Sequence, residues 1–313
     1  MLWSRRAAGL AAVAITLAAS SLGLAACSTS ESSTPASSGV IQAVGAENEY
    51  ANVVQQIGGR YVSVSSILDN PNTDPHTFEA STSVAQEVSN ATLIVQNGVG
   101  YDTFMNQIEA ASPNAARKVI VAQHVLGLPD DTPNPHLWYD PKTMPAVASA
   151  MATDLGELDP AHRAYFRTRL SSFDASLQPW LASIASFKAD HSGTAVAVTE
   201  PVADYLLQAM GADIVTPLAF QADIMNGVDP SPESITQEEA IFTGHTAKVF
   251  CYNQQVVDSL TTTIRNTAQS AGASVVGVYE TMPTPGYDYQ SWMEAEVAAI
   301  QAAVDHGTST EHL

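Results

Sequence analysis

The chain has 313 residues, of which 45% are hydrophobic and 14% charged, a globular profile with room for one large or two ordinary domains. Twelve Lys and Arg stand against 32 Asp and Glu, a formal net charge of −20. That charge repels nucleic acid and anionic lipid. It permits a cationic ligand, although the solubility of an exported protein would account for it equally well.

The N-terminus stands apart from the rest. Arg5 and Arg6 precede the uncharged run AAGLAAVAITLAASSLGLAA, a positive n-region followed by an apolar h-region that ends on small residues, as a secretory signal does. LAAC, Leu24 to Cys27, resembles the bacterial lipobox, which implies cleavage after residue 26 and lipid on Cys27. The competing reading is a membrane helix with an incidental cysteine. STSESSTPASSG then forms a flexible tether, giving a signal over 1–26 and a lipidated cysteine with its tether over 27–39. The folded part is expected on the extracytoplasmic face of the cell membrane. Loss of the signal leaves 10 Lys and Arg against 32 Asp and Glu, a net charge of −22. Cys251, in the apolar run AKVFCYN, is expected in a buried strand. With Cys27 lipidated no internal disulfide is available, so a full-sized core must hold the fold.

From residue 40 the pattern alternates. IQAVGA reads as a strand, EYANVVQQIGG as a helix stopped by glycines, and RYVSVSSIL as a strand. VAQEVSNA is a helix, ATLIVQNG a strand, YDTFMNQIEAA a helix and KVIVA a strand. This pace predicts βαβ units around a parallel sheet over 40–142. Helices fill 143–188: PAVASAMATDLGEL, then a segment capped by Asp159-Pro160. Its stripe of Phe166, Leu170, Phe173, Leu177, Trp180, Ile184 and Phe187 faces one side, and Pro179 should kink or divide it. Alternation resumes over 189–308, with strands TAVAVTE, ADIVTPL, AKVFCYN and ASVVGVYE between helices. The expected fold is α/β: two lobes with mainly parallel sheets, joined by a long helical spine, with a cleft between them.

Four positions carry one chemistry. NTDPHTFEAS and NPHLWYDP each place a histidine straight after a proline, His76 and His136. Proline restricts the backbone around each imidazole, and two such loops in one lobe point to a shared ligand, most simply a divalent transition metal. In the second lobe, TAVAVTE and ASVVGVYE end on Glu200 and Glu280, and ligands of open α/β sheets bind at the carboxyl ends of strands. Either glutamate taken alone reads equally as a solvated or capping carboxylate. No HExxH or GxSxG stretch accompanies these residues.

TDPHTFEAS, NPHLWYDP, the helical spine and the LAAC stretch together resemble the metal-binding lipoproteins of bacterial zinc and manganese ABC importers, over nearly the whole mature chain. The resemblance implies two (β/α) lobes bridged by a helix and one ion in the cleft. It also implies a membrane permease and cytoplasmic ATPase as partners, a monomer, and no enzymatic activity. His76 and His136 match that family's two N-lobe histidines, and Glu200 its third ligand. Glu280 falls where aspartate is more usual. Asp74, Glu79, Trp138 and Asp140 lie beside these ligands and would orient the imidazoles, or else cap their loops. The long His-rich loop of many zinc-specific members is missing, since His124 is the only histidine between His76 and His136. Two imidazoles with two carboxylates tilt toward Mn2+ or Fe2+, whereas the Irving–Williams order favours Zn2+, so zinc and manganese both stay open. A secreted metal-dependent hydrolase, a surface adhesin and an organic-ligand receptor are the alternatives.

Overall fold

The computed structural model describes residues 39–72 and 74–313; the predicted signal, Cys27 and the tether up to residue 38 lie outside the described residues. Four strands, β1 (Ile41–Glu47), β2 (Val62–Leu68), β3 (Leu93–Gln96) and β4 (Lys118–Val121), form a parallel sheet in the order β2-β1-β3-β4. They are accompanied by helices α1 (Asn48–Gly58), α2 (Thr82–Asn90), α3 (Thr103–Ala111) and the one-turn α4 (Ala122–Val125). Helices α5 (Thr143–Leu158), α6 (Arg163–Ser176) and α7 (Gln178–His191) lead to a second parallel sheet. Its strands β5 (Ala195–Val198), β6 (Asp213–Ile214), β7 (Val249–Asn253) and β8 (Ser274–Val278) run in the order β6-β5-β7-β8. Around it lie α8 (Asp204–Ala209), α9 (Leu218–Met225), α10 (Pro232–Thr243), α11 (Ser259–Ser270) and α12 (Tyr289–His306). The predicted α/β class with two parallel sheets is therefore what the chain adopts, and the two sheets repeat one strand order.

Strand alternation sets which side chains meet between the lobes. Parallel strands are buried on both faces, and here the faces belong to different cores. Leu93 and Val95 of β3 face an inner core, as do Val196 and Val198 of β5, Val249 and Cys251 of β7, and Val276 and Val278 of β8. Ile94, Ala197, Phe250 and Val275 face outer cores instead. The inner core is continuous from α1 through α5, α6 and α7 to α12, so one apolar interior serves both lobes. Continuing that alternation by two residues from Val95, Val198, Cys251 and Val278 brings Asn97, Glu200, Asn253 and Glu280 onto the same side, where the apolar run gives way to polar atoms. Gly45 lets β1 run hard against α1: a Cβ there would lie 2.5 Å from the Ala51 nitrogen.

The spine is divided. Proline cannot donate the helical hydrogen bond, and with Pro179 in its first turn the stripe splits at Leu177 into α6 and α7. Phe166, Phe173, Leu177, Trp180, Ile184 and Phe187 stay buried across that break. The expected strand ADIVTPL is only two residues long, because Thr216-Pro217 turns the chain into α9, where a loop was expected. Among the described residues no helix is long and apolar enough to cross a membrane.

Hydrogen bonds join the lobes beside the cleft. The Asn48 amide pairs with the backbone of Met282 in both directions, at 2.8 and 2.9 Å, and the Tyr289 hydroxyl donates to the Trp138 carbonyl at 2.7 Å. The Tyr139 hydroxyl donates to the Tyr279 carbonyl at 2.9 Å and lies 3.2 Å from Glu296 Oε1, which also accepts from Trp292 Nε1. Burial pushes Glu296 up to about 8, against the pull of those two donors. The folded value lies above the ordinary 4.5, so this carboxyl costs stability progressively as pH rises between the two, and not below them. Glu296→Gln should therefore be neutral near pH 4.5 and stabilise by about 2–4 kcal/mol at pH 8. Denaturant melts across that range check this, and a gain independent of pH would contradict it.

Candidate metal centre

His76 lies in a single 3-10 turn, Pro75–Thr77, whose start is fixed by proline and by Asp74 Oδ1 accepting the His76 N–H at 2.8 Å. Its side chain is 28% exposed, at the rim of the cleft. His136 is fully buried, and Asn134 holds it twice: Oδ1 accepts from the His136 backbone N–H at 3.0 Å and lies 2.8 Å from Nδ1. That second contact places the proton on Nδ1 and leaves Nε2 with a lone pair toward the cleft. Asn134 is anchored to the other lobe, donating to the Pro201 carbonyl at 2.7 Å and accepting at its own carbonyl from the Tyr205 hydroxyl at 2.9 Å.

Both imidazoles aim at one atom. His76 Nε2 lies 3.1 Å and His136 Nε2 3.2 Å from Glu280 Oε2, and the Tyr101 hydroxyl donates to the same oxygen at 3.1 Å. His76, His136 and Glu280 each offer a donor atom, and the three lie within 4.8 Å of one another. The other Glu280 oxygen accepts from Asn253 Nδ2 at 2.7 Å. The backbone N–H groups of Glu280 and Thr281 both donate to Gln255 Oε1, at 2.6 and 2.8 Å, fixing the turn that carries the carboxylate. Glu200, 1% exposed, stands one amide away: its Oε1 accepts from Asn253 Nδ2 at 3.0 Å, and its Oε2 is buried with no hydrogen-bond partner among the described residues.

The charges follow from this packing. Burial alone would raise Glu280, but the imidazoles of His136 and His76 against it hold it well below the ordinary carboxylate range. Burial opposes charge on His76, yet its hydrogen bond to Glu280 raises it above the usual imidazole value. Burial dominates at His136 and lowers it. Burial, then the neighbouring Glu280 charge, raises Glu200 well above the carboxylate range. The packing thus favours charge on Glu280 and on His76 beside it and opposes charge on His136 and Glu200.

Of the four residues expected to orient the imidazoles, two touch them. Asp74 holds the His76 backbone, and the Trp138 ring stands edge-on to His136 with centroids 5.5 Å apart. Asp140 accepts from the Lys142 N–H at 3.0 Å and caps its own turn, and Glu79 is exposed. Tyr101, Asn134, Asn253 and Gln255 were not anticipated. Asn253 ends a strand, as the glutamates nearly do, so the rule that selected them would have found it. Tyr101 follows three consecutive left-handed residues, Gly98, Val99 and Gly100, at φ 83°, 54° and 77°. A β-branched residue at positive φ is strained; here Asp102 accepts from the Asn97 and Gly98 N–H groups and Gln123 from that of Val99.

A family model described as zinc-uptake complex component A, periplasmic (ZnuA), matches residues 44–303. The chain belongs to that family. It is 27% identical over 168 residues to the manganese ABC transporter substrate-binding lipoprotein scaA of Streptococcus gordonii, covering 49% of this chain and 53% of that protein. It is 25% identical over 132 residues to the zinc-binding protein TroA of Treponema pallidum, covering 41% and 42%. The chain thus spans about half the length of these curated relatives. Solved structures show the same fold: a ZnuA crystal structure at TM-score 0.68 and 22% identity, covering 83% of this chain and 98% of that one, and FpvC from Pseudomonas aeruginosa in complex with Mn2+ at 0.70 and 20%, covering 85% and 99%.

Glu280 accepts from His76, Tyr101 and Asn253 and touches His136 Nε2, and removing it leaves these groups without that partner. Glu280→Ala should cost about 3–5 kcal/mol, the usual loss when a buried charge network is broken. Thermal melts in chelator at neutral pH measure it. Because the carboxylate is held low, its contribution is present above the ordinary 4.5 and fades as pH falls further. A loss below about 1 kcal/mol would show that the network does not hold the cleft.

Proposed function

We propose that this chain is a non-catalytic capture protein that takes one divalent transition-metal ion, Zn2+ or Mn2+, into the interlobe cleft and hands it to an ABC importer. The observation that carries this reading is the convergence of His76 Nε2, His136 Nε2 and Glu280 Oε2, from loops of both lobes, in a chain of the zinc-uptake component A family. His76, His136, Glu200 and Glu280 are the proposed ligands: two nitrogens and two oxygens, a set both ions accept. With two carboxylates ionised and two imidazoles neutral, the loaded centre is uncharged. Four protein donors leave no position for a reactive water, which disfavours the hydrolase alternative.

The partners follow from that role: a membrane permease and its cytoplasmic ATPase, met by a monomer held to the extracytoplasmic face of the membrane by lipid on Cys27. The relatives named for zinc and for manganese support the ligand class and leave the choice between the two ions open.

Native mass spectrometry should find one ion per chain in wild-type protein and none after the joint change His76→Ala and His136→Ala. Unchanged stoichiometry in the double variant would refute the ligand assignment. Acid should weaken binding as well. The ion must displace the proton that His76 holds against Glu280 and the one that burial keeps on Glu200, so loading releases protons. Calorimetry at fixed metal should show affinity falling from pH 8 to pH 6, with an enthalpy that depends on the buffer's own ionisation heat; equal affinity at both ends would contradict histidine ligation.

A further inference from the structure

Asn253 ends β7, and the sheet register seats it between the two glutamates. Val198 of β5 pairs with Cys251 of β7, two residues before Glu200 and Asn253; Asn253 itself pairs with Val278 of β8, two residues before Glu280. The side chain is fully buried and its amide is used at every polar atom. Oδ1 accepts from the Gln255 N–H at 2.9 Å, which decides the amide's orientation, and Nδ2 then donates one hydrogen to Glu200 Oε1 at 3.0 Å and the other to Glu280 Oε1 at 2.7 Å.

One amide therefore engages the same oxygen on both carboxylates. What remains is Glu280 Oε2, facing the two imidazole Nε2 atoms, and Glu200 Oε2, buried without a hydrogen-bond partner among the described residues. A carboxylate oxygen that accepts an amide hydrogen keeps one lone pair, turned and weakened by that bond, so the unbonded oxygen is the better donor to an ion. For one of them to chelate symmetrically with both oxygens, it would have to strain or give up its bond to the fully buried Asn253 amide, leaving a buried N–H poorly paired.

We propose that Asn253 is a specificity-determining residue of the centre: a clamp across two carboxylates that makes Glu200 and Glu280 each present a single oxygen. The inference rests on the metal-capture reading above. A site limited to two nitrogens and two single oxygens is complete at four donors, the number zinc takes. It is short for manganese, which prefers six oxygen-rich positions. The clamp therefore selects Zn2+ over Mn2+.

The test uses the full chain, wild type and two variants. Asn253→Ser removes both donors; Asn253→Asp keeps the shape and the acceptor for Gln255 while replacing the donor by oxygen. Each is titrated with Zn2+ and Mn2+ against a competing chelator and loaded with Co2+ for visible spectroscopy. Wild type should show the intense bands of four-coordinate Co2+. Both variants should show weaker bands of higher coordination, with a zinc-to-manganese affinity ratio lower by about tenfold or more. Variants that fold, by circular dichroism, and keep the wild-type spectrum and ratio overturn the clamp; should Asn253→Ser fail to fold, the near-isosteric Asn253→Asp decides. The His76→Ala/His136→Ala protein separates the two readings. If it binds metal like wild type, or if wild type binds neither ion, metal capture at this cleft fails and the clamp with it. If it loses binding while the Asn253 variants keep the wild-type ratio, the clamp alone is wrong.

Discussion

A carboxylate sealed from water must be supplied with hydrogen-bond donors, because an uncompensated buried charge costs several kcal/mol. At Glu280 that supply comes from three donors: the imidazole of His76, the phenol of Tyr101 and the amide of Asn253. Two of these donors come from the first lobe and the third from the second, where Glu280 itself resides. The cleft is consequently drawn together by the electrostatics of its own ligand atoms, and the same atoms that bind one another can bind a cation that replaces the shared protons.

The rest of the molecule holds this arrangement in register. Parallel sheets of identical strand order turn their carboxyl ends toward each other, and the inner-face alternation delivers polar side chains where the apolar core ends. Secondary contacts then remove freedom from each ligand in turn: Asn134 fixes the His136 ring, Asp74 fixes the turn under His76, and Gln255 fixes the backbone at Glu280. Neutral amides dominate this layer. They can hold charged groups without altering the charge balance of the ion site, which a ring of additional acids or bases would disturb.

Much of this was legible before the structure. Strands and helices declared themselves by period, the histidines by the prolines before them, and the glutamates by their place at strand ends. What stayed hidden is of one kind. Tyr101, Asn134 and Gln255 are neutral polar residues with no spacing signature, Asn253 shares the strand-end position of the glutamates but carries no charge, and their roles arise from strand register and from contacts across as many as 179 positions of sequence, as between Tyr101 and Glu280. Helix α9 was missed because Pro217 and Leu218 were read as the end of the strand ADIVTPL, whereas Pro217 precedes the first turn of a helix. The spine's division at Leu177 was anticipated, since the loss of a backbone donor at proline is a local matter that needs no tertiary knowledge.

His76 differs from the other three proposed ligands in one respect: part of its side chain meets solvent, whereas His136, Glu200 and Glu280 are essentially sealed. With a single apolar core running through both lobes, wide separation of the lobes would expose the molecule's interior, so traffic through the cleft falls to its smallest movable part. On the proposed reading, an ion entering the cleft meets the rim imidazole first and the sealed donors after it. On that reading release is governed by the short turn from Asp74 to Phe78, and equilibrium selectivity by the buried donors beneath it. Evolution can alter either one without retuning the other.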